Sequence, residues 1–291
     1  MSEVTIRPML PDDVPAAERL SAESFLELDQ RTTRRDRPAP QLRSPARSEA
    51  WILRTRHVLE TDPGGCWVAD DEGGMIGMAT SFVRDRTWCL ATYAVRPGLQ
   101  GLGRVLLDAA LQHGRGCLRG MLSSSGDPKA VRRYRLAGFS LHPQMHLTGT
   151  VDRSAIPVVD KVREGTAGDT DLMNSIDRQV RGAAHGVDHP LMQHLWRPIV
   201  SDATTGSGYA YLAPDGSVQL LAATNRTAAA RLLWAAMADG GPEQTVHHLT
   251  AANEWAIDVG LAARLELHQE GYLGLRGMAP PSPYVHNGAL L

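Results

Sequence analysis

The sequence predicts a mixed α/β fold built from two similar halves. Strand-like runs alternate with amphipathic helical segments along a chain of 291 residues. Both halves run in the same order: strand, one or two helices, hairpin, strand, helix, strand and helix, closed by a glycine–aromatic pair. A repeated order of elements is typical of an internal duplication. We therefore expect two tandem domains, residues 1–153 and 160–291, joined by a short linker.

The first half begins with a short strand over residues 4–7, followed by a helix that Asp12 or Asp13 can cap. The arginine- and proline-rich residues 29–47 are interpreted as a loop, and Ser48 can cap a second helix. Hairpin and turn signals then separate three strands, a glycine-rich turn and two further helices. These elements are strands 66–70, 75–83, 87–95 and 118–122, and helices that begin at Leu102 and Asp127.

The second half follows the same order with weaker signals. Residues 143–159 are interpreted as a connector, and the pair Gly271–Tyr272 is expected to follow the last helix as Gly138–Phe139 does in the first half. The predicted elements are strand 161–163, helix 168–180, hairpin 208–224, helix 227–238, strand 246–249 and helix 253–269.

Composition and charge narrow the class of protein. Hydrophobic residues make up 43% of the chain, enough for a packed core. The net charge of −2 argues against a general nucleic-acid binder, which carries a basic face. No run approaches about 18 apolar residues, and the first residues carry no signal-peptide pattern, so we expect no membrane contact. Three cysteines without metal-ligand spacing fit a reducing compartment, and we expect a cytoplasmic protein.

A glycine-rich turn is the most informative segment. A strand ends at Val95, Gly101 and Gly103 follow, and a helix begins there. Free N–H groups at such a helix start favour an anion, and Arg104 could add a charged contact. The spacing matches neither the GxxxxGK[ST] nor the GxGxxG loop, so a pyrophosphate inside a larger cofactor is the better interpretation. The alternative is a plain helix start, with glycines present only for tight packing.

These residues resemble a known family. Val95, Pro97, Gln100, Gly101 and Gly103 fit V-x-P-x-x-[QR]-G-x-G-x-[GA], the acetyl-CoA motif of the GNAT superfamily of N-acetyltransferases. Val105 departs from it, standing where glycine or alanine is usual. A second motif of the family, Asn-x6-Tyr-x3-Gly-Phe, is matched by Asp127, Tyr134 and Gly138–Phe139, with aspartate in place of asparagine.

The resemblance implies a fold, a cofactor and a set of binding residues. It implies two tandem domains, each a mixed, mostly antiparallel sheet flanked by helices, with a degenerate second copy. The cofactor would be acetyl-CoA or another acyl-CoA. The first strand's backbone would hold the pantetheine arm and the glycine turn the pyrophosphate. The residues so assigned are Tyr93, Ala94, Val95, Gln100, Gly101, Leu102, Gly103, Arg104, Val105 and Asp127.

The implied reaction is direct acyl transfer to an amine. It needs a path for the amine proton, donors for the thioester oxygen and an acid for the departing thiolate. The resemblance assigns the acid to Tyr134; the alternative is a buried aromatic on a helix.

The general base is less visible, because residues 88–94 carry no carboxylate. Asp70, Asp71 and Asp85 are alternatives, a water chain is the simpler answer, and some tandem relatives use a C-terminal carboxylate, here Leu291.

Other polar clusters give weaker signals. His185, His189 and His194 lie near Asp188 without a recognised zinc spacing, so we expect no metal. The arginines of residues 29–47 could bind an anionic acceptor or the 3′-phosphate of CoA, or could form a solvated loop. Residues 222–228 lack a glycine turn, so we expect one acyl-CoA site per chain.

The sequence therefore predicts an enzyme that acylates the amine of a small molecule. A non-catalytic acyl-CoA-binding regulator and a protein N-acetyltransferase are the alternatives. The acceptor and the oligomeric state stay open.

Overall fold

The computed structural model describes residues 4–33 and 39–291, which form two compact units divided between Cys117 and Leu118. The division comes earlier than the boundary between the predicted domains, residues 1–153 and 160–291, because strands from both halves are interleaved within the second unit. The internal duplication from which those two domains were predicted remains a prediction. None of the helices in the described residues combines the length and the apolar character that a membrane crossing needs.

The first unit is a four-stranded antiparallel sheet in the order β1-β2-β3-β4, with three helices. The predicted strands are confirmed to within two residues. The predicted loop over 29–47 is partly wrong, because α1 continues to Thr32 and α2 already begins at Pro45, after Ser44. Arg34, Arg35 and Arg37 lie outside the described residues. The elements are β1 (Thr5–Pro8), α1 (Val14–Thr32), α2 (Pro45–Thr61), β2 (Cys66–Asp71), β3 (Gly74–Arg84), β4 (Thr87–Val95) and α3 (Leu102–His113).

The second unit holds strands in the orders β5-β12-β6-β11 and β13-β10-β9-β8-β7. The elements are β5 (Arg119–Ser124), α4 (Pro128–Leu136), β6 (Ser140–Thr150), β7 (Arg163–Glu164), α5 (Thr170–Val180), α6 (Asp188–Leu195), β8 (Arg197–Ala203), β9 (Gly206–Leu212), β10 (Val218–Ala223), α7 (Arg226–Asp239), β11 (Glu243–Thr250), α8 (Glu254–Ala262), β12 (Glu266–Arg276) and β13 (Tyr284–Val285).

Strand β12 lies between β5 and β6, and β6 in turn pairs with β11. The predicted connector over 143–159 was therefore wrong in its first part, which is strand. The predicted helix 253–269 was also too long, because Arg264 adopts a left-handed φ of 67° that ends α8. Gly271 and Tyr272 belong to β12, at a bulge where a Cβ on Gly271 would lie 1.9 Å from the Ser124 carbonyl oxygen.

The second sheet has an apolar layer on each face. One contains Leu232 of α7 and Trp255 of α8, packed with residues of β9 to β11. The other contains Met173 of α5 and Met192 of α6, packed with Tyr209 and other aromatic residues of the sheet. Helices on both faces remove the apolar sides of the strands from water.

A buried carboxylate ties the end of α2 to β3 and α3 in the first unit. Asp62 Oδ2 accepts a hydrogen bond from Arg84 Nη1 at 2.6 Å, and its Oδ1 accepts the Val83 N–H at 2.9 Å and lies 2.9 Å from His113 Nε2. Burial by itself would raise the pKa of Asp62, but the bonds from His113, Arg84 and Val83 together hold that pKa well below its ordinary value. Asp62 is therefore ionised in the folded protein.

Candidate functional site

Strand β4 carries a bulge in its middle. Thr80 of β3 pairs with Thr92 and Ser81 pairs with Leu90, so Ala91 has no opposite residue. A bulge re-aims the backbone and leaves the extra residue out of the ladder. This bulge could not be predicted from the sequence, because no distinctive residue type marks its position.

The strand continues through the three residues assigned to the pantetheine arm. Tyr93, Ala94 and Val95 pair along one edge with β3, opposite Ala79, Met78 and Gly77. The Tyr93 and Val95 side chains pack on a small core with Leu102 and Leu106 of α3. The strand that precedes the turn is thereby fixed against the helix that follows it.

The glycine turn has a conformation that only glycine adopts easily. Gly98 has a φ of 89° and Gly101, the residue before α3, a φ of 81°. A Cβ built on either glycine would meet no atom within 4 Å. The backbone conformation therefore requires these two glycines, and the space in front of them is open. The alternative that these glycines serve tight packing does not fit this geometry.

The start of α3 suits an anion. Among the described residues no side chain caps this end, and the first N–H groups of a helix have no partner within it. Gln100 and Arg104 are exposed beside it, and the Arg104 guanidinium lies only 3.6 Å from Asp108. Val105 is 51% exposed, so the residue that departs from the motif occupies space that a larger side chain can fill.

Helix α4 carries the second motif. Asp127 caps the helix, its Oδ1 accepting the Lys129 N–H at 3.0 Å. Tyr134 is 4% exposed. Gly138 has a φ of 88° and ends the helix, and the Phe139 N–H returns to the Tyr134 carbonyl at 3.0 Å. The motif thus forms a short helix that is capped at both ends and carries one buried tyrosine.

Comparison with known proteins agrees with both motifs. Residues 22–139 match the model of the acetyltransferase (GNAT) family. This segment is a GNAT acetyltransferase domain. The match confirms the predicted family, the transferase class and the acetyl-CoA cofactor that GNAT enzymes use. No protein of curated function matches the chain in sequence.

Solved structures share the fold over both halves. An acetyltransferase candidate from Pyrococcus horikoshii is 17% identical with a TM-score of 0.74, covering 99% of this chain and 95% of that one. A GCN5-related N-acetyltransferase from Sphaerobacter thermophilus is 15% identical with a TM-score of 0.59, covering 96% of each chain. One from Kribbella flavida is 15% identical with a TM-score of 0.59, covering 94% of this chain and 71% of that one. The predicted mixed, mostly antiparallel GNAT fold is confirmed.

The carboxylates considered as general base in the GNAT domain have other partners or lie in turns. Asp70 pairs with Arg7 at 2.8 Å, and Asp71 accepts the Gly73 N–H at 2.8 Å in a hairpin turn. Asp85 has a φ of 43° in the turn between β3 and β4.

Leu291 is fully buried in the second unit, with its main-chain oxygen 3.1 Å from His185 Nε2. Its assignment as base stays a prediction.

Arg43, one of the arginines considered for anion binding, joins α1 to α2. Its guanidinium lies 2.6 Å from Glu18 Oε1 and over the ring of Trp51. Ser48 donates to the same carboxylate oxygen at 2.8 Å. Glu18 is a buried carboxylate that the sequence did not single out, since charged residues at a helix face are usually solvated.

The second half has a side-chain cap at the start of α7 and a strand along β10. Asn225, the residue before α7, caps this helix, and its Oδ1 accepts the Ala228 N–H at 2.9 Å. Strand β13 pairs along β10, with Ala222 opposite Tyr284. Asn253 fixes this strand by accepting the Tyr284 N–H at 2.8 Å.

Proposed function

We propose that the chain transfers the acetyl group of acetyl-CoA to the amine of a small molecule, with one cofactor bound per chain. The observation that carries the proposal is the turn at Gly98 and Gly101. Left-handed glycines with open space in front of an uncapped helix start allow a pyrophosphate to approach the backbone. The N–H groups of Leu102 and Gly103 would donate to it, with Arg104 adding charge.

The chemistry follows from direct attack of the amine on the thioester carbon. The new N–C bond forms, the C–S bond breaks, and the electron pair leaves on sulfur. A backbone N–H of the β4 bulge at Ala91 would donate to the carbonyl oxygen as negative charge develops there. Tyr134 would give its proton to the departing thiolate, as the family motif implies. The phenol recovers that proton from solvent.

The amine must be neutral when it attacks, and water would take the proton it then loses. This part of the proposal is supported by Asp70, Asp71 and Asp85, which have other partners or lie in turns. Strand β4 itself carries no carboxylate. A solvent path makes the rate depend on the amine's own pKa.

A single cofactor per chain is supported by the second half. The Asn225 side chain occupies the start of α7 and accepts the Ala228 N–H, one of the first N–H groups that a pyrophosphate would need. Strand β13 uses the edge of β10 along which a pantetheine arm would lie. We propose that the second half serves as scaffold.

The test is release of free CoA from acetyl-CoA in the presence of an amine panel that contains polyamines, amino acids, amino sugars and a peptide with a free N-terminus. Mass spectrometry of the acylated product identifies the acceptor class. Release with a metabolite amine supports the proposal. Acylation of the peptide alone would favour a protein N-acetyltransferase. Tight binding of acetyl-CoA with no production of free CoA from any amine would favour a regulator.

A further inference from the structure

A buried polar cluster in the second unit takes no part in the proposed reaction. Asp177 lies near the end of α5, His185 in the turn that follows, and His189 in the first turn of α6. All three side chains are fully inaccessible to solvent. One ligand atom from each lies within 4.8 Å of the other two.

The cluster contains a nitrogen that the protein leaves unsatisfied. Asp177 Oδ2 lies 2.7 Å from His185 Nδ1 and 3.4 Å from His189 Nε2. His189 Nε2 is buried, and within the described residues no group makes a hydrogen bond of good geometry to it, the long 3.4 Å approach of Asp177 included. An unpaired buried polar atom costs about 1–3 kcal/mol, so a fold that keeps this atom inside is expected to offer it a partner.

The remaining polar atoms of the three side chains are held by neighbours. Tyr209 donates to Asp177 Oδ1 at 2.5 Å. The Tyr211 hydroxyl lies 2.9 Å from His189 Nδ1, and the Leu291 main-chain oxygen lies 3.1 Å from His185 Nε2. Outer hydrogen bonds of this kind orient the ligands in metal sites. They leave Oδ2, Nδ1 and Nε2 facing one another.

We propose that Asp177 Oδ2, His185 Nδ1 and His189 Nε2 bind one divalent transition-metal ion of the zinc class. Two imidazoles and a carboxylate are a ligand set that such ions prefer. Bonds of about 2.1 Å place two ligands of one ion roughly 3.0–3.4 Å apart. The separation of 3.4 Å fits directly, and the separation of 2.7 Å has to open by a few tenths of an ångström.

Binding requires a change of tautomer and adds positive charge, which the Asp177 carboxylate balances only in part. The Nδ1 proton that His185 shares with Asp177 would be replaced by one on Nε2, which would donate to the Leu291 main-chain oxygen. Arg181 Nη1, which lies 3.1 Å from Nε2, would have to turn away from this nitrogen. The ion would link α5 and α6 to the second sheet through Tyr209 and Tyr211. Because the site is buried, the ion would enter during folding and would stabilise the structure, a role independent of acyl transfer.

Arg181 supplies the competing explanation. Its Nη1 lies 3.1 Å from His185 Nε2, on the ring edge away from Asp177. A network in which the Arg181 guanidinium alone compensates the Asp177 carboxylate would need no metal. The two explanations differ in metal content and in the response of folding to zinc.

The first experiment measures metals in tag-free protein by plasma mass spectrometry. We expect about one zinc-class ion per chain. Unfolding in chelator followed by refolding with zinc should raise the melting temperature above that of protein refolded without metal. Protein that contains no metal and whose melting temperature is the same after refolding with and without zinc would overturn the proposal.

Matched variants locate the ion. His189→Gln should lose the ion and the thermal response to zinc. His194→Gln, on the exposed face of the same helix, should keep both. His247→Ala removes an exposed pair with Glu270, whose atoms lie 2.8 Å apart, and should also keep both. Retention of the ion by His189→Gln with loss in His247→Ala would assign it to the surface pair and contradict the proposal.

A spectroscopic measurement covers the case in which His189→Gln does not fold. Parent protein refolded with cobalt(II) should show visible d–d bands of an ion with nitrogen and oxygen ligands and low coordination number. A spectrum identical to that of hexaaqua cobalt would overturn the proposal without any variant.

Discussion

Tyr134 of α4 and Gly260 of α8 accept the same type of hydrogen bond at the end of their helices. The Tyr134 carbonyl accepts the N–H of Phe139 at 3.0 Å, and the Gly260 carbonyl accepts the N–H of Leu265 at 2.9 Å, each five residues further on. A Cβ on Gly260 would lie 2.2 Å from Leu147 Cδ1. Helix α8 therefore has neither a phenol at this point nor room for one.

Replacement of Tyr134 by phenylalanine tests the proposed acid. The variant keeps the buried ring and removes only the hydroxyl, so we expect kcat to fall by roughly 10²-fold, at the low end of general-acid contributions. The affinity for acetyl-CoA should change little, because the proton is needed only as the thiolate leaves. Steady-state kinetics and calorimetric titration check the two parameters. An unchanged kcat in a folded variant would make Tyr134 a packing residue.

Substitution of Gly101 by alanine tests the glycine turn. A φ of 81° costs a residue with a Cβ about 1–2 kcal/mol, and the added methyl obstructs a pyrophosphate at the backbone. We expect acetyl-CoA binding to weaken by about tenfold or more, equivalent to about 1.4 kcal/mol, and by still more when Gly103 is also replaced by a bulkier residue.

Gly74→Ala is the matched control, since Gly74 has a φ of 106° and open space in the β2–β3 hairpin. The Gly74→Ala variant should lose a similar free energy of unfolding and keep the affinity of the parent for acetyl-CoA. Equal affinity in both variants would remove the basis for a cofactor at the turn.

The number of cofactors per chain tests the closed second half. Titration of the parent with acetyl-CoA or CoA should saturate at about one equivalent, because Asn225, Gly260 and strand β13 leave no second site of the same kind. Isothermal calorimetry, with the protein concentration determined by amino-acid analysis, gives the number of cofactors bound per chain. A value near two would contradict the proposal of a single cofactor site per chain.

The ion pair at Asp62 predicts acid-sensitive folding of the first unit. The pKa of Asp62 is lower in the folded than in the unfolded state, so the unfolded state binds the proton more tightly. Its contribution is complete above the ordinary carboxyl pKa of about 4 and is lost as the pH falls towards the folded value.

Asp62→Asn should cost about 3 kcal/mol at neutral pH, because it leaves the buried Arg84 without its counter-charge. The difference between variant and parent should shrink as the pH falls below about 4. Asp239→Asn, which breaks an exposed pair with Arg197, should change stability by less than about 1 kcal/mol. Urea unfolding at several pH values measures the stability of the parent and of both variants. A difference between Asp62→Asn and the parent that does not change with pH would contradict a lowered pKa of Asp62 in the folded state.

The resemblance of two motifs to the GNAT superfamily was enough to predict the GNAT domain. The glycines before α3 and the Asp127–Tyr134–Gly138 spacing are visible in sequence because turn geometry and helix ends require particular residues at fixed distances. The hairpins of both halves were predicted for the same reason. Positive φ at Gly98 and Gly101 then explained the turn residue by residue.

Contacts between distant residues decided the rest. Insertion of β12 between β5 and β6 depends on pairings more than a hundred residues apart, such as Tyr272 with Ser124, which no local pattern encodes. The bulge at Ala91, the closure of β10 by β13 and the meeting of Asp177 with His185 and His189 likewise exist only once the chain is folded. Sequence periodicity specifies which face of an element is apolar, whereas the partner that covers this face is chosen by packing of the whole chain.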